Sequence, residues 1–584
     1  MTPVAFDERS QSWVTASDGV RLSVRASGPE GQPVLLCVHG YPDNGSMWDG
    51  VTAELRERFR VVVYDVRGAG ESDKPRERAA YRLDQLADDL AEVAEAASPG
   101  RPVHLLAHDW GSIQAWHAVT GERMRGRIAS YTSISGPDLD HAGAWFRAQL
   151  RPSPRALRNA LRQFLHSGYI AAFQLPVLPE LFWRLGIMRR IITALEPAEP
   201  APDTSDGIHG LQLYRANMLP RLGRPRPRVA DLPVQVLAPS RDHYVSPPLQ
   251  TEIGKWVPDL RVRPVTGGHW ITREKPELVA RAAAELIDSV EGGHEARALR
   301  RTRVTPAGTR SARFPGRLVV VTGAGSGIGR ATALAFAEQG ADIVVTDVDA
   351  AAAAETVALA RKHGVTAAEY TVDAADGEAV REFAARVRAE HGVPDIVVNN
   401  AGIAVSGSFL DTSEQDWQRV IDVNLWGVIH GCRVFAEQLV ERGEGGHIVN
   451  LASAAAFTPS KILSAYATTK SAVLMLSECL RAELFHENIG VTAVCPGIVH
   501  TNITSTTRFV GVDGAEQARR QRSATGMYAK RGFGPDKVAR DILRAVERDI
   551  ALQPSTPEAK AALVLSRLTP GVLRATARLD PTAK

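Results

Sequence analysis

Asp109 has the sequence surroundings of a nucleophile. It lies between the apolar run Val103–Ala107 and a helix-forming stretch, with the small residues Ala107 and Gly111 two positions before and after it. A turn that holds a nucleophile above a sheet is too tight for larger side chains at those two positions. A carboxylate in such a turn is able to attack a strained or activated sp³ carbon, which leaves an alkyl ester on the protein.

Further residues complete a hydrolytic set. Asp242 follows the apolar run Val234–Ala238, and His269 lies in the segment GGHW. The segment HGYP, residues 39–42, follows the apolar run Val34–Val38. The order nucleophile, acid, histidine and the position of HGYP resemble the α/β-hydrolase family, and within it the branch that uses an aspartate nucleophile.

The resemblance implies a role for each residue. Asp242 would orient His269, and His269 would activate the water that attacks the ester. The backbone N–H groups of Tyr41 and Trp110 would form the oxyanion hole for the tetrahedral intermediate. The indole of Trp110 leaves two interpretations open, because it could line the pocket or bind a leaving halide.

A segment from about residue 137 to residue 228 interrupts the series of strands and is rich in Arg and Pro, which predicts a helical cap. Opening an epoxide develops charge on oxygen and needs a proton donor above the nucleophile. Tyr169 in YIAAFQ and Tyr214 in LQLYRANM resemble the two cap tyrosines of epoxide hydrolases, although Ile170 stands where that family has Gln. The pair favours an epoxide over an alkyl halide; the alternative is that both tyrosines only pack the cap.

A glycine-rich turn opens the second half of the chain. The apolar run Leu318–Val321 leads into TGAGSGIG, residues 322–329, and a helix-forming stretch follows. Such a turn lets the pyrophosphate of a dinucleotide approach the N-terminus of the helix. The spacing G-x-x-x-G-x-G resembles that of short-chain dehydrogenases. The residues of the turn that are predicted to bind the cofactor are Gly323, Ser326, Gly327, Ile328 and Gly329.

Asp347 ends the next apolar run, IVVTD, near the offset expected for the acid that binds the adenosine ribose. Its carboxylate would accept hydrogen bonds from the ribose hydroxyls and repel a 2′-phosphate. No Arg follows it immediately in the sequence. NAD(H) is therefore favoured over NADP(H) as the cofactor.

Tyr466 and Lys470, in YATTK, are one helical turn apart and would share a helix face. The Lys470 ammonium is expected to lower the pKa of Tyr466, so that the phenol exchanges a proton with the substrate near neutral pH. Together with Ser453, which would hydrogen-bond the substrate oxygen, they resemble the catalytic centre of short-chain dehydrogenases. The same resemblance implies that Asn424 organises a proton-relay water. It also assigns to the cofactor site Asp373, Asn400, Tyr466, Lys470, Pro496, Gly497 and Thr501.

Both halves alternate short apolar strands with helical stretches, which predicts the α/β class, with parallel sheets covered by helices on both faces. We expect an α/β-hydrolase domain over residues 1–290, with the cap at about 137–228, and a Rossmann-type doubly wound dehydrogenase domain over residues 315–584. Residues 291–314 contain six arginines and little apolar periodicity. They are predicted to form a solvated linker, with an anion-binding patch as the alternative.

The composition sets the class of protein and its partners. The 584 residues include 69 Lys+Arg and 66 Asp+Glu, and this near-balance does not favour nucleic acid as a partner. The four cysteines have no close pair and are expected to be buried thiols. The N-terminus lacks the pattern of a secretory signal. A cytoplasmic protein without a metal site is predicted, with peripheral membrane contact left open.

The two halves together resemble the two-domain epoxide hydrolase–oxidoreductase proteins of actinobacteria. This resemblance implies a bifunctional enzyme that hydrolyses an epoxide to a vicinal diol and performs NAD(H)-dependent alcohol oxidation or ketone reduction, on lipid-like substrates. It also implies a homo-oligomer formed through the dehydrogenase domain. The alternatives are a haloalkane dehalogenase joined to a dehydrogenase, and a non-catalytic lipid-binding scaffold.

Overall fold

The computed structural model describes residues 11–151, 153–196, 201–304 and 312–578. The chain divides into two compact units, residues 1–310 and 311–584. No helix among the described residues is both long and apolar enough to cross a membrane. Three of the four cysteines are buried as predicted, but Cys479 is exposed. It lies on the side of its helix that faces away from the buried Val473 and Ser477.

The first unit is built on a sheet of eight strands in the described residues. The strands are β1 Ser12–Thr15, β2 Arg21–Ser27, β3 Val34–Val38, β4 Arg60–Tyr64, β5 Val103–His108, β6 Ile128–Ile134, β7 Val234–Pro239 and β8 Leu260–Val265. Their order is β1-β2-β4-β3-β5-β6-β7-β8. β2 pairs antiparallel with β1 and β4, and the other pairs are parallel.

Helices pack on both faces of this sheet. Leu36 and Val38 of β3 belong to one apolar core, and the alternate residues Leu35 and Cys37 belong to another. The helices of the first unit are α1 Asp49–Leu55, α2 Leu83–Ala97, α3 Trp110–Val119, α4 Leu139–Gln149, α5 Pro154–His166, α6 Gly168–Phe173, α7 Leu178–Arg184, α8 Ile187–Leu195, α9 Thr204–Gly223, α10 Pro247–Thr251, α11 Ile271–Glu274, α12 Pro276–Gly292 and α13 Arg297–Arg300. Helices α4 to α9 form the cap, in the connection between β6 and β7.

The structure corrects the predicted linker over residues 291–304. The predicted boundary at residue 290 lies inside α12, and the segment after it packs along the edge strand β8. Thr302 accepts a hydrogen bond from the Val262 backbone N–H at 2.8 Å, and Val304 donates one to the Leu260 carbonyl at 2.8 Å. Leu299 is fully buried. The linker prediction was wrong because it relied on the lack of apolar periodicity. A short segment that pairs with an edge strand needs only one buried apolar residue, here Leu299, and therefore shows no such periodicity.

The second unit contains a parallel sheet and a two-stranded pair. Its strands are β9 Leu318–Thr322, β10 Asp342–Asp347, β11 Ala367–Thr371, β12 Ile396–Asn399, β13 Val405–Ser406, β14 Gly446–Leu451, β15 Ile489–Cys495, β16 Arg508–Phe509 and β17 Leu552–Pro554. The large sheet has the order β11-β10-β9-β12-β14-β15-β17, and β13 pairs with β16. The order reverses between β9 and β12, which opens a crevice at the carboxyl ends of the strands.

The helices of the second unit complete the doubly wound arrangement. They are α14 Gly327–Glu338, α15 Ala350–Arg361, α16 Gly377–His391, α17 Glu414–Ile421, α18 Gly427–Arg442, α19 Ser464–Glu483, α20 Ile503–Thr506, α21 Gly514–Arg531, α22 Pro535–Glu547, α23 Pro557–Leu568 and α24 Pro570–Thr576. A π-helical segment, Asp422–Trp426, joins α17 to α18. Single π turns inside helices occur frequently at functional sites.

Candidate active sites

Asp109 lies in the turn between β5 and α3, with a positive φ of 48°. Residues other than glycine rarely adopt such a backbone conformation, and they keep it only where the surrounding structure enforces it. Three glycines make room for the turn. A Cβ on Gly40 would lie 2.6 Å from the Asp109 Cβ, and one on Gly111 or Gly136 would collide with backbone oxygens. The spacing around Asp109 predicted the need for a small residue at Gly111, whereas the crowding at Gly40 and Gly136 is visible only in the fold.

The structure brings Asp109, Asp242 and His269 together. The Nε2 atom of His269 is 3.8 Å from Oδ1 of Asp109. Its Nδ1 atom is 3.2 Å from both carboxylate oxygens of Asp242. Asp242 also accepts the backbone N–H groups of Tyr244 and Val245 at 2.7 and 2.9 Å. The imidazole therefore spans two carboxylates, one fixed by its own loop and one at the nucleophilic turn.

The electrostatics match this arrangement. Burial alone would lower the pKa of His269, but the negative charges of Asp242 and Asp109 raise it to about 9. Burial raises the pKa of Asp109 to about 6, against the attraction of His269. Burial raises the pKa of Asp242, but the charge and hydrogen bond of His269, together with the N–H groups of Val245 and Tyr244, outweigh it and lower the pKa. At neutral pH the resting site holds an imidazolium between two carboxylates.

Both predicted oxyanion donors lie at the nucleophile. The Tyr41 backbone N–H donates to Oδ2 of Asp109 at 2.8 Å. The Trp110 backbone N–H also hydrogen-bonds the Asp109 carboxylate. The Tyr41 N–H therefore holds Oδ2, and Oδ1 is the oxygen nearest to Nε2 of His269. The indole Nε1 of Trp110 is buried and has no hydrogen-bond partner among the described residues.

The two cap tyrosines, Tyr169 on α6 and Tyr214 on α9, approach the nucleophile. Burial raises the pKa of both phenols well above the usual value, and the charge of Asp109 adds to the rise in each. Their rings lie edge to face with centroids 5.9 Å apart, and a side-chain hydrogen bond joins them. The Tyr214 ring also contacts Tyr41 and Trp110, at centroid distances of 5.2 and 4.9 Å. Both phenols stay protonated at neutral pH and are able to donate.

Two residues near the histidine were missed by the sequence argument. Glu196, at the end of the cap helix α8, accepts the backbone N–H of His269 at 2.6 Å. Burial raises the pKa of this carboxyl group. The ring of Tyr244 lies 4.7 Å from that of His269. Only the fold brings Glu196 to the histidine loop, so no sequence signal was present.

The glycine turn of the second unit lies between β9 and α14. Gly323 and Gly327 have φ values of +60° and +56°, which favour glycine. A Cβ on Gly329 would lie 2.5 Å from the Asn400 side-chain nitrogen, so this glycine permits close packing of the helix on the sheet. Ser326 occupies the N-cap position of α14, and Ile328 packs against the core of the unit.

The predicted ribose acid, Asp347, faces the same turn. Its Oδ2 atom accepts the backbone N–H of Gly325 at 2.7 Å. Both residues line an open cleft of about 570 Å³. Asn400 holds the turn from the other side, donating to the carbonyls of Thr322 and Gly323 at 2.9 Å. Asp373 lies in the loop after β11, where Oδ1 accepts the Ala375 N–H at 2.9 Å.

The predicted catalytic residues of the second unit meet at the next strand ends. Asn424 lies on the π-helical segment and bonds both backbone groups of Ile403, at 2.8 and 2.9 Å. A Cβ on Gly402 would lie 3.3 Å from the Asn424 Oδ1 and 3.5 Å from the Lys470 Nζ. The ends of both side chains therefore lie beside Gly402. Lys470 donates to the Leu451 carbonyl at 2.7 Å.

Tyr466 lies one turn before Lys470 on α19, and its phenol hydrogen-bonds Ser453. Burial raises the pKa of Tyr466 to about 12, which the bond to Ser453 only partly opposes. Burial lowers the pKa of Lys470 to about 8. The phenol therefore has a raised pKa in this arrangement, where a lowered one was expected. The Lys470 Nζ lies 5.8 Å from the centroid of the phenol ring, and burial is the largest cause of the raised pKa.

The loop after β15 carries the remaining predicted cofactor residues. The Pro496 carbonyl accepts the Ala454 N–H at 2.7 Å, which ties this loop to the segment of Ser453. A Cβ on Gly497 would collide with Thr556. Thr501 lies against the glycine turn, since a Cβ on Gly327 would be 3.2 Å from the Thr501 Cβ.

One residue near the Tyr466 phenol, Tyr528 of α21, was not predicted. Its charge in the ionised form would raise the pKa of Tyr466, which shows that the two phenols are close. No motif marks this position in the sequence.

Comparisons with known proteins assign the two units to two different enzyme families. The family model described as alpha/beta hydrolase fold matches residues 33–276, and the one described as short chain dehydrogenase matches residues 317–509. A protein of Mycobacterium tuberculosis named "Probable oxidoreductase EphD" is 44% identical over 583 residues, which cover 97% of this chain and 98% of that protein. This chain belongs to the EphD family.

Other similar proteins match the second unit. A 2,3-dihydro-2,3-dihydroxybenzoate dehydrogenase of Bacillus subtilis is 32% identical over 231 residues, covering 39% of this chain and 88% of the relative. A crystal structure of a short-chain dehydrogenase/reductase from Burkholderia phymatum in complex with NAD is 30% identical, with a TM-score of 0.41, and covers 46% of this chain and 99% of that chain.

Membership in the EphD family and the two domain matches confirm the predicted fold class. The protein is an enzyme with an α/β-hydrolase domain followed by a short-chain dehydrogenase domain. The roles of the individual site residues stay predictions, which the geometry described above makes testable.

Proposed function

We propose that the hydrolase domain converts an epoxide to a vicinal diol through an ester on Asp109, and that the dehydrogenase domain transfers hydride between a secondary alcohol and NAD(H). The observation that carries the first half is the position of Asp109, which lies between His269 and a pair of protonated cap tyrosines. An alkyl halide needs no proton on its leaving group, whereas an epoxide oxygen does.

The first step forms the ester. Oδ1 of Asp109 attacks an epoxide carbon, and the bond from that carbon to the epoxide oxygen breaks. The oxygen takes a proton from Tyr214 or Tyr169, whose pKa values are raised by burial, so it leaves as an alcohol. Oδ2 stays on the Tyr41 N–H, which holds the carboxylate in one orientation during the attack.

The second step hydrolyses the ester. Once the ester forms, Asp109 is neutral and no longer stabilises the imidazolium. The pKa of His269 therefore falls, and its proton passes to the tyrosinate that the first step left in the cap. The neutral imidazole is then able to take a proton from water. Water attacks the ester carbonyl carbon, and the Tyr41 and Trp110 N–H groups stabilise the oxyanion. As the bond from the carbonyl carbon to the substrate oxygen breaks, His269 returns the water proton to that oxygen, and the diol leaves. The acid re-formed on Asp109 then gives its proton to His269, which restores the resting pair.

The residues of the second unit fit a dinucleotide. The glycine turn presents the N-terminus of α14 to a pyrophosphate, and Asp347 lies at the same cleft, where its charge disfavours a 2′-phosphate. NAD(H), when bound there, supplies or accepts the hydride. Tyr466 exchanges a proton with the substrate oxygen, and Ser453 hydrogen-bonds that oxygen. Lys470 reaches the same strand ends, where it would hold the nicotinamide ribose.

The substrates are proposed to be apolar and lipid-like, because aromatic rings surround the nucleophile. The rings of Tyr41, Phe173 and Tyr214 contact one another above Asp109. The diol made by the first domain would then serve as the alcohol for the second. The Bacillus relative supports this order, since its printed name describes a dehydrogenase of a compound with adjacent hydroxyl groups.

Paired variants test the two activities. Asp109→Asn should abolish diol formation and leave NAD-dependent oxidation intact, while Tyr466→Phe should do the converse. Loss of both activities in either variant would contradict independent sites, and absence of both in the unmodified protein would favour the scaffold. For the relay, diol that accumulates unchanged in the presence of NAD would contradict it.

An isotope experiment tests the ester itself. In a single turnover in H₂¹⁸O, the ester route places ¹⁸O in Asp109 and leaves the first diol unlabelled, because water attacks the carbonyl carbon. Direct attack of water on the epoxide would label the diol at once. Mass spectrometry of the Asp109 peptide and of the product separates the two routes.

A second candidate substrate is an alkyl halide. The buried Trp110 Nε1 lacks a partner among the described residues and could donate to a leaving halide. Halide release from chloroalkanes at a rate comparable with epoxide turnover would favour this candidate. Tyr169→Phe/Tyr214→Phe should then leave halide release unchanged, whereas it should remove epoxide opening.

A homo-oligomer through the dehydrogenase domain is part of the proposal. Met475 on the Tyr466 helix, α19, and Trp426, just before α18, both expose large apolar side chains. Sedimentation velocity of the full chain tests it, since a monomer at micromolar concentration would contradict the proposal.

A further inference from the structure

The cap helix α5 presents its apolar side to solvent. Leu157, Leu161, Phe164 and Leu165 recur at the spacing of one helix face, within about 100° of the circumference at 100° per residue. All four side chains are exposed. In a helix that covers a protein core, this stripe would face inward.

The inner side of α5 is held by a polar group instead. Gln163 is 1% exposed and accepts the Ser246 backbone N–H at 2.8 Å. It donates to the Tyr244 carbonyl at 3.0 Å. These bonds anchor the helix to the loop that follows the catalytic Asp242. The outward stripe is therefore a consequence of how the helix is fastened.

The exposed apolar surface continues along the cap. Of the large exposed apolar side chains in the described residues, twelve lie between Leu150 and Leu195. Val177, between α6 and α7, is 73% exposed with a φ of +66°, a backbone conformation that a β-branched residue adopts rarely. An apolar surface of this density marks an interaction site on a soluble domain.

The same segment is strongly basic. Residues 147–196 contain eight arginines and two glutamates. Both glutamates are engaged on the inner side: Glu180 pairs with Arg215 at 2.5 Å, and Glu196 accepts the His269 N–H. Arg158 and Arg162 border the apolar stripe of α5 along one edge and are exposed, and neither forms an ion pair with a described carboxylate.

We infer that this cap face docks on a bilayer that contains anionic phospholipids. Apolar side chains flanked by arginines on a helix suit the boundary between acyl chains and phosphate headgroups. A second copy fits less well, because a two-fold contact would bring the same arginines against each other. Helix α6, which carries Tyr169, directly follows α5 in the chain. Docking of this face would therefore bring the part of the cap that covers Asp109 to the lipid surface.

Vesicle binding of the full chain tests the inference without using turnover, so its failure and a failure of the proposed function are separable. Extruded vesicles of phosphatidylcholine alone are compared with vesicles of equal parts phosphatidylcholine and phosphatidylglycerol, at about 0.1 M salt. Co-sedimentation should be at least about tenfold stronger with the mixed vesicles. Absence of binding to the mixed vesicles would overturn the inference.

Variants locate the surface. Leu161→Ser/Phe164→Ser should weaken binding to the mixed vesicles at least about tenfold. The matched control is Phe485→Ser in the dehydrogenase domain, because Phe164 and Phe485 are 70% and 72% exposed. Unchanged binding of the double variant, or equal loss in the control, would overturn the assignment to this face.

Charge and self-association give independent outcomes. Arg158→Gln/Arg162→Gln should remove most of the preference for phosphatidylglycerol. If the serine variant melts at a lower temperature than the parent, this arginine variant replaces it as the test of the surface. If the serine variant instead forms smaller assemblies in sedimentation velocity and the parent does not bind vesicles, the face is a subunit contact and the inference fails.

Discussion

Asp109→Asn should lower the pKa of His269. The imidazole lies between Asp242 and Asp109, and the charges of both raise its pKa to about 9. Replacing the Asp109 carboxylate by a neutral amide of the same shape removes one of those charges. The variant also imitates the charge state of the ester, in which Asp109 is neutral. The measured change therefore reports how the site prepares its base during turnover.

The size of the shift follows from the distance. Opposite unit charges 3.8 Å apart attract by about 4 kcal/mol at an effective dielectric constant of about 20, which corresponds to about three pKa units. These three units are an upper limit for the loss of the Asp109 charge. Asp242, which stays in the variant, makes the larger contribution to the raised pKa of His269. We therefore expect a fall of about one to three units in the Asp109→Asn variant.

Histidine NMR measures the shift directly. Titration of protein labelled at the histidine Cε1 gives the pKa, and His269→Gln identifies the signal among the 16 histidines. Asp88→Asn is the control, because Asp88 lies on α2 and pairs with Arg123. Intact mass verifies the substitution throughout the titration. An unchanged or higher His269 pKa in Asp109→Asn would refute the proposed activation of the base.

Three further predictions concern Asp109, Gly40 and Asp347. Burial raises the pKa of Asp109 to about 6, so ester formation, measured by single-turnover tryptophan fluorescence, should be level above that pH and fall about tenfold per unit below it as the nucleophile becomes protonated. Gly40→Ala should reduce steady-state hydrolase turnover at least about a hundredfold, because the new Cβ would lie 2.6 Å from the Asp109 Cβ and displace the nucleophile. Asp347→Asn keeps an acceptor for the Gly325 N–H but removes the charge, so the ratio of kcat/KM for NADP to that for NAD should rise at least about tenfold.

Each of these predictions has a contrasting outcome. Ester formation that stays level down to pH 4 would mean that Asp109 has an ordinary pKa and is not desolvated. Gly292→Ala adds a Cβ in open space and should leave the hydrolase unchanged, so equal losses in both glycine variants would indicate general destabilisation. An unchanged cofactor ratio in Asp347→Asn would place the ribose elsewhere.

The sequence by itself determined the reactive groups. Asp109 between Ala107 and Gly111, the glycine turn after β9, and Tyr466 with Lys470 one turn later are each recognisable within a few residues. Local chemistry requires these spacings, because a tight turn tolerates only small neighbours and a helix repeats its face every three to four residues. The parallel parts of both sheets followed from the same short apolar runs, whereas the antiparallel strands β1 and β2 of the first sheet were not predicted.

Contacts between distant segments were decided only by the tertiary structure. Glu196 reaches the backbone of His269 from the cap, and residues 293–304 pack along β8 where a solvated linker was predicted. Burial places the pKa of Tyr466 at about 12, where the motif alone suggested a lower value. The outward apolar stripe of α5 depends on the bonds that Gln163 makes to the loop after Asp242. Desolvation and the choice of which helix face points inward depend on every segment packed nearby, and no local spacing encodes them.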